Sequence, residues 1–596
     1  MNSAEAVIDA SIVIRRKVFR KLIEALLFEG LLKPKKTITP DGERYEIEGV
    51  SGSGVQVIYE CIAIKKFTFD IIRLTEQPLI RCCLSNRHEA ESVSQFIEEA
   101  LNRVEGLSQV LPTFLEEIEE TIKKDAMFLN VLRNRKQLLL GLSFAELEGL
   151  SSEGHPYHPC YKSRIGFNEM DNVTYGPEFE PEVRLYWIAA HQSDVQWNVS
   201  GHDNWQSFLT KELHHNDFSR FQEIITGLGL ETEKYIFIPL HPWQWEHLSG
   251  TASEYSRLIP LGYGTETYSP QQSIRTLTNR SAKGKSDVKL ALNIVNTSSR
   301  RNLTIHSVAA ASTVSNWLQS IVDSDDYLTN DAKLILLHEY AGVSLIPAEG
   351  KVSAIWRENV EKYVVEGEEA VPFHMLSARE SNGAPFIAPW VNTMGVEDWF
   401  RTLIRNCVIP VVHLLVAHGI VLESHGQNMI MIHRSGIPER VALRDFHEGV
   451  EFYIPYLAAP QLLPDFSGIH PVYANGNVGD HFEMKSLNCL NEMMIDALWF
   501  MNIGYLIMFI DDHFPCDEKE LWSIVVEELQ MYVEKFPQLK TRFEDLQLYR
   551  PECVIESLAQ KRIYGSIICP PQPALNPLYK CVSSLQNQFK ESFYHV

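Results

Sequence analysis

The amino-acid sequence predicts an α+β protein of several domains. Three observations carry this: a strand-rich meander over residues 45–75, long amphipathic stretches flanking it, and a chain of 596 residues. That length exceeds what a single core supports. In order, residues 8–32 space Ile12, Ile14, Val18, Leu22, Leu26 and Leu27 as an amphipathic helix. YEIEGV, VQVIYECIAIKK and FTFDIIRL follow as strands with Gly-Ser punctuation. From His88 to about Leu150 the pattern is helical again, so residues 1–150 form a first domain. A Gly-, His- and Pro-rich loop (154–163) opens a mixed domain, 151–350, in which YIFIPL (235–240) and VKLALNIVN (288–296) read as buried strands. The third domain, 351–596, contains a long helix over 396–419, interrupted or kinked near Pro410, then a strand pair, then mostly helix.

Charge and composition narrow the function classes. Acidic residues outnumber basic ones, 77 to 54, for a formal charge of −23, which argues against a nucleic-acid partner. A local basic pocket for an anionic substrate remains compatible with it. The ten cysteines are scattered without a C-x-x-C pair, as in reduced thiols of a cytoplasmic protein. The N-terminal segment lacks the pattern of a signal peptide. ALWFMNIGYLIMFI (497–510) falls short of the roughly 20 apolar residues of a membrane span. It reads as a buried core helix, and no membrane span is expected.

Four motifs carry the chemistry. GHPYHPCYKSRIGF (154–167) displays His155, His158, Lys162 and Arg164 on a turn-rich backbone. These groups suit phosphate or carboxylate contact, zinc binding by the histidine pair, or a rigid loop with buried histidines. IPLHPWQWEH (238–247) runs a strand into a proline-locked corner and reads as a packing plug. QQSIRTLTN (271–279) offers Ser273, Arg275 and Thr276 as a hydroxyl–guanidinium–hydroxyl grip for phosphate oxygens. KLALNIVNTSSRR (289–301) brackets an apolar strand with Lys289 at one end and Thr297, Arg300 and Arg301 at the other. Solvated charges at strand ends would read the same way. The intervening GKS (284–286) is no P-loop, because Asn279 stands where the motif needs glycine.

The fourth motif, LESHGQNMIMIH (422–433), precedes RVALRDFHEG (440–449). Read as one strand, it puts Glu423, His425 and Gln427 on one face and Asn428 on the other, with Asp445 on the next strand. Same-face polar groups are costly to bury without partners. A polar core network is one reading. The other is Glu423 and Asp445 as magnesium ligands, since magnesium takes one or two carboxylates plus substrate phosphates, with His425 facing a carboxylic acid.

In this order the four motifs, over roughly 154–446, resemble the siderophore synthetases that work independently of nonribosomal peptide synthetases, the IucA/IucC (aerobactin synthetase) family. The resemblance implies a cupped-hand fold of thumb, fingers and palm domains with the ATP site between fingers and palm. It also implies ATP-dependent adenylation of a carboxylic acid, usually citrate, and acyl transfer to an amine or hydroxyl. Ser273, Arg275, Thr276, Lys289 and a histidine of the 155–158 loop would hold the phosphates with Lys162, and Arg379 would lie near the nucleotide. Glu423, Asp445 and Asn428 would bind Mg2+. Thr297, Arg301, His425 and Gln427 would hold the acid, with Arg301 preferred to Arg300 for its spacing from Lys289. His425, Arg301 and Lys289 would carry the catalytic step. A homodimer is the family expectation.

Two departures stand out. Ser424 replaces a common alanine, and IESLAQKRIYG (555–565) lacks the family's C-terminal lysine, leaving Lys561 or Arg562 to compensate. Two competing readings remain at this point. One is a non-catalytic nucleotide- or ferric-siderophore-binding protein, which would not need two metal-binding carboxylates. The other is a zinc hydrolase built on His155 and His158.

Overall fold

The computed structural model describes residues 9–583 apart from 41, 102–110, 152–153, 203, 249–254, 256, 283, 298 and 565–570. Helices and sheets are mixed throughout, as an α+β fold requires. The amphipathic opening becomes the helix Ala10–Phe28. The meander is larger than the sequence pattern indicates: six antiparallel strands between Lys35–Thr39 and Asn86–Glu89. The helices Val93–Ala100 and Leu111–Asn134 follow it.

The middle of the chain builds a second six-stranded sheet with its own apolar core, from Val183 to Trp356. Its strands run, side by side, Tyr268–Pro270, Thr276–Asn279, Asp287–Leu290, Ser353–Arg357, Glu339–Leu345 and Val195–Val199. The GKS string lies in the turn joining two of these strands. Lys285 pairs there with Glu266 and Ser286 with Tyr340, so no helix follows it and the P-loop rejection stands. First and last thirds share one core, in which Phe28 stacks on Phe500 with ring centroids 5.6 Å apart.

The last third carries a four-stranded sheet that includes Met429–Arg434 and Ile437–Leu443. Before it runs one continuous helix, Val396–His418. Pro410 does not break this helix. Wider π-turns at Ile404–Val408 and Leu414–His418 flank the proline and absorb its missing N–H. The apolar string at 497–510 belongs to a longer helix, Leu487–His513. These two helices are long and apolar enough to cross a membrane by length and composition, and most of each is buried inside the fold. The nine described cysteines are unpaired.

Candidate active site

The central sheet lines up polar side chains across neighbouring strands. Thr276 lies opposite Lys289, Asp287 opposite Arg357, and Arg357 opposite Glu339. Asp287 and Lys289 are two residues apart and so share a face. Onto this face Asp445 projects from the turn after strand Ile437–Leu443, in a left-handed conformation with φ 66°. Its Oδ1 lies 3.2 Å from Lys289 Nζ and 2.7 Å from Arg357 Nη1. Arg357 donates its other amino group to Gln271 Oε1 and Asp287 Oδ2, both at 2.9 Å. Burial alone would push the Asp445 carboxyl up. Lys289, Arg357 and Arg444 outweigh burial and hold it well below the usual carboxylate range. For Lys289 burial wins, and its ammonium is pulled below its ordinary value despite Asp445.

The cationic half is held by packing. Ile274, between Ser273 and Arg275, has φ 66°, which is rare for a β-branched residue. It is buried with Phe167, Trp243, Leu292 and Ile294, so the corner at 241–244 is the packing plug expected. That corner is also what supports the strained loop. Ser273 Oγ donates to Thr276 Oγ1 at 2.9 Å and accepts its N–H at 3.3 Å. Arg275 is buried, which lowers its pKa against the opposing pull of Glu448, Asp445 and Glu339. Arg301 donates Nη2 to the Asn296 carbonyl at 2.7 Å, while its Nε is buried without a hydrogen-bond partner. Burial and Arg275 pull Arg301 down to about 10, against Glu423, Glu448 and Asp445. A buried unpaired guanidinium N–H is costly, and it fits an anionic ligand. Thr297, φ 54°, turns the short hairpin beside it. Arg300 is exposed and donates to Asn293, away from this group.

The 422–433 segment is not one strand, which corrects the sequence reading. Strand Ile420–Leu422 ends at a turn over 423–428, and Met429–Arg434 begins afterwards. The polar side chains make the turn by capping local backbone. Ser424 Oγ donates to the Leu422 carbonyl at 3.0 Å, Asn428 Nδ2 to the Glu423 carbonyl at 2.9 Å, and His425 Nδ1 accepts the Gln427 N–H at 3.2 Å. Such side-chain bonds compete with strand pairing. Gln427 Nε2 donates to the Gly154 carbonyl, tying this turn to the first motif. Arg444 clamps both sides, donating to the Gln427 carbonyl at 2.7 Å and to Glu148 at 2.6 Å.

Several sequence-expected roles shift. His155 and His158 each accept backbone N–H groups through Nδ1. Burial drops His158 to about 3 and holds His155 well below the imidazole range, with neighbouring His158, His425, Lys21 and Arg301 adding to the effect on His155. Neither belongs to a metal-capable group among the described residues, so the zinc-hydrolase reading lacks its site. Lys162 is directed elsewhere: its ammonium lies 3.0 Å from Asp125 and 3.9 Å from Glu178, over the Phe128 ring. Arg164 pairs with Glu178 at 2.9 Å. Arg379 is exposed, its backbone bridged to Pro385. Lys561 pairs with Glu556, and Arg562 with buried Glu117.

The three residues expected at the metal, Glu423, Asp445 and Asn428, sit in different surroundings. Glu423 is half exposed, its Oε1 3.9 Å from His425 Nε2. Asn428 faces the turn backbone. The donors that converge on Asp445 are Glu339 and His447, all within 4.8 Å of one another. His447 Nδ1 lies 2.7 Å from Glu339 Oε1, and its Nε2 is buried without a partner. Two carboxylates with an orphaned buried imidazole nitrogen beside them fit a divalent cation. Glu448, next in sequence, accepts the Ser307 hydroxyl at 2.6 Å. Burial pushes Glu448 up, but His447, the Ser307 hydroxyl and Arg275 bring it down to about 2. Sequence reading missed Arg357, Glu339, His447 and Glu448. The last two stand in the RDFHEG string already singled out, whereas Glu339 and Arg357 become visible only through strand order.

Comparison with known proteins identifies the family. Residues 143–378 match the IucA / IucC family, and residues 397–562 match the ferric iron reductase FhuF-like transporter family. The chain is 40% identical to the citryl-spermidine/3,4-dihydroxybenzoyl-citryl-spermidine:spermidine ligase of Bacillus anthracis, covering 96% of this chain and 94% of that one. It is 30% identical to the 2-[(L-alanin-3-ylcarbamoyl)methyl]-3-(2-aminoethylcarbamoyl)-2-hydroxypropanoate synthase of Staphylococcus aureus, over 95% and 92% of the two chains. The solved structure of the petrobactin biosynthesis protein AsbB from Bacillus anthracis str. Sterne superimposes with a TM-score of 0.93 at 39% identity, covering 97% of each chain. The chain belongs to the IucA/IucC family of siderophore synthetases.

Proposed function

We propose that this synthetase activates citrate or a citrate derivative with ATP and transfers the acyl group to a polyamine. A carboxylate oxygen of the acid attacks the α-phosphorus of ATP and pyrophosphate leaves. The amine nitrogen then attacks the acyl carbon, AMP leaves with the old carboxylate oxygen, and the nitrogen loses a proton. The first step needs charge neutralisation more than a protein nucleophile. The observation that carries the reading is the convergence of Lys289, Arg275 and Arg301 beside Asp445, Glu339 and Glu448. In this reading Ser273, Arg275, Thr276 and Lys289 grip the phosphates, and neutral His155 borders them. Asp445 and Glu339 would hold Mg2+, which when bound would neutralise phosphate charge. Arg301, Thr297, His425 and Gln427 hold the acid, with Glu423 at its edge.

The amine assignment rests on a row of carboxylates beyond Glu423. Burial, then the charges of Glu423 and Glu492, raise Glu451 to about 7. Burial and Glu556 raise Asp496 to about 7. Such mutually repelling acids suit a polycation, and the 40%-identical relative is named for a spermidine substrate. Division into thumb (1–150), fingers (151–350) and palm (351–596), a homodimer and a cytoplasmic location without a membrane span complete the proposal. The test is mass spectrometry of reactions containing ATP, Mg2+ and citrate with diamines, spermidine, amino acids or amino alcohols. A citryl-polyamine amide formed with AMP is expected. ATP binding without acid-dependent pyrophosphate release would favour the non-catalytic carrier instead.

A further inference from the structure

We infer a second metal site, outside the adenylation motifs, formed by Asp325, His413 and His418. His413 Nε2 lies 3.0 Å and His418 Nε2 2.9 Å from the same carboxylate oxygen, Asp325 Oδ2. All three donor atoms fall within 4.8 Å of one another. Ligands around a tetrahedral zinc ion with bonds of about 2.0 Å are separated by about 3.3 Å. The two edges that meet at Asp325 Oδ2 therefore need to open by only a few tenths of an ångström. Two imidazoles and one carboxylate leave a fourth position for water.

The helix winding produces this convergence. In an α-helix residues five apart point about 140° away from each other. The π-turn at Leu414–His418 widens the helix and returns His418 to the face of His413. The surroundings resemble an outer coordination sphere. His413 Nδ1 lies 2.9 Å from the Tyr532 hydroxyl, which orients the ring and leaves Nε2 for the ion. Asp325 Oδ1 accepts the Leu328 N–H at 2.9 Å, which fixes the carboxylate and frees Oδ2. Tyr327 and Phe536 pack on the His413 ring, with centroids 4.8 and 5.1 Å away. His413 is buried, while His418 and Asp325 remain 13% and 15% exposed, so an ion can reach the group.

The position gives the ion a structural task. Asp325 follows the helix Ile305–Asp323, whose first turn holds Ser307 against Glu448. His418 precedes Gly419 and the strand Ile420–Leu422 that leads to Glu423. Zinc at Asp325, His413 and His418 would therefore pin together two elements that each end at the adenylation site.

The test uses the full-length protein, stripped with a chelator and titrated with Zn2+ and Co2+. About one Zn2+ per chain should bind at this site, raising the thermal midpoint, with Co2+ giving the visible bands of a four-coordinate centre. His418→Gln should abolish that binding, and His418→Cys, which keeps a zinc ligand, should retain it. Tyr532→Phe should weaken it about tenfold. Glu339→Gln should leave it unchanged, which separates this site from the Asp445 group and from the synthetase reading. Zinc affinity equal in wild type and His418→Gln, or lost in Glu339→Gln instead, would overturn the assignment.

Discussion

Lys289 and Asp445 stand 3.2 Å apart, joining the central sheet to the strand pair of the last third. Asp445 also neutralises Arg357 at 2.7 Å, so the two halves of the site are held by one carboxylate between two cations. Removing that carboxylate takes the ion-pair partner from Lys289 and leaves Arg357 with Asp287 alone, and breaking a buried pair from one side costs about 3–5 kcal/mol. Asp445→Asn should therefore destabilise the protein more than Lys289→Met, which leaves Asp445 paired with Arg357. Urea denaturation of the two variants measures the order. Equal losses, or the reverse, would mean that the bridge does not hold the halves together.

Gly449 is the close contact between the turn at 423–428 and Asp445. A methyl group there would lie 2.7 Å from the Asp445 carbonyl oxygen and 3.4 Å from Glu423 Cβ. Gly449→Ala should cost about 1–3 kcal/mol through overpacking and lower acid-dependent ATP turnover, because backbone must shift on both sides. Wild-type stability and turnover in this variant would show that the junction is looser than the structure has it.

Much of this was legible in the sequence, and the exceptions share a cause. The helix Ala10–Phe28 and the strand Tyr235–Leu240 follow from apolar spacing, because one buried face dictates one period. The strand expected over 422–433 fails because Ser424, His425 and Asn428 bond their own backbone, which periodicity cannot register. Lys162 looked like a phosphate ligand until Asp125 and Glu178, distant in sequence, took its charge. Arg357 and Glu339 carry no local signal. They matter because antiparallel register places them opposite each other and next to Asp445. Lys289, Arg275, Arg301 and Asp445 were readable as motifs, whereas Arg357 and Glu339 are products of sheet order.

The acid row makes a pH-dependent prediction. Asp496 rises from an ordinary 3.8 to about 7 on folding. The folded protein thus holds this proton more tightly, and the group disfavours folding increasingly as pH rises from about 4 to about 7. Asp496→Asn should be more stable than wild type at pH 8, with the difference vanishing near pH 4. The same variant should raise the KM for a polyamine about tenfold, as expected for ~1.4 kcal/mol of lost charge pairing. Thermal denaturation and amine kinetics check the two halves. A variant less stable at pH 8, or with unchanged amine KM, would remove the acid row from substrate binding.

Glu448 behaves in the opposite sense. Its folded pKa of about 2 lies below the ordinary 4.5, so its stabilising contribution is present above about pH 4.5 and fades as pH falls toward 2. Glu448→Gln should be less stable than wild type at pH 7, and the gap should narrow on acidification. Denaturation at several pH values tests this. A gap independent of pH would mean that Glu448 acts through packing and not through charge.

The central claim is that Lys289, Arg275 and Arg301 neutralise an acid and ATP during adenylation. Isotope exchange between labelled pyrophosphate and ATP, run with citrate and Mg2+ but no amine, isolates that step. Wild type should exchange only when the acid is present, and Arg301→Ala should lose at least about a hundredfold while remaining folded. Exchange undiminished in folded Arg301→Ala, or no citrate-dependent exchange in wild type, would contradict it.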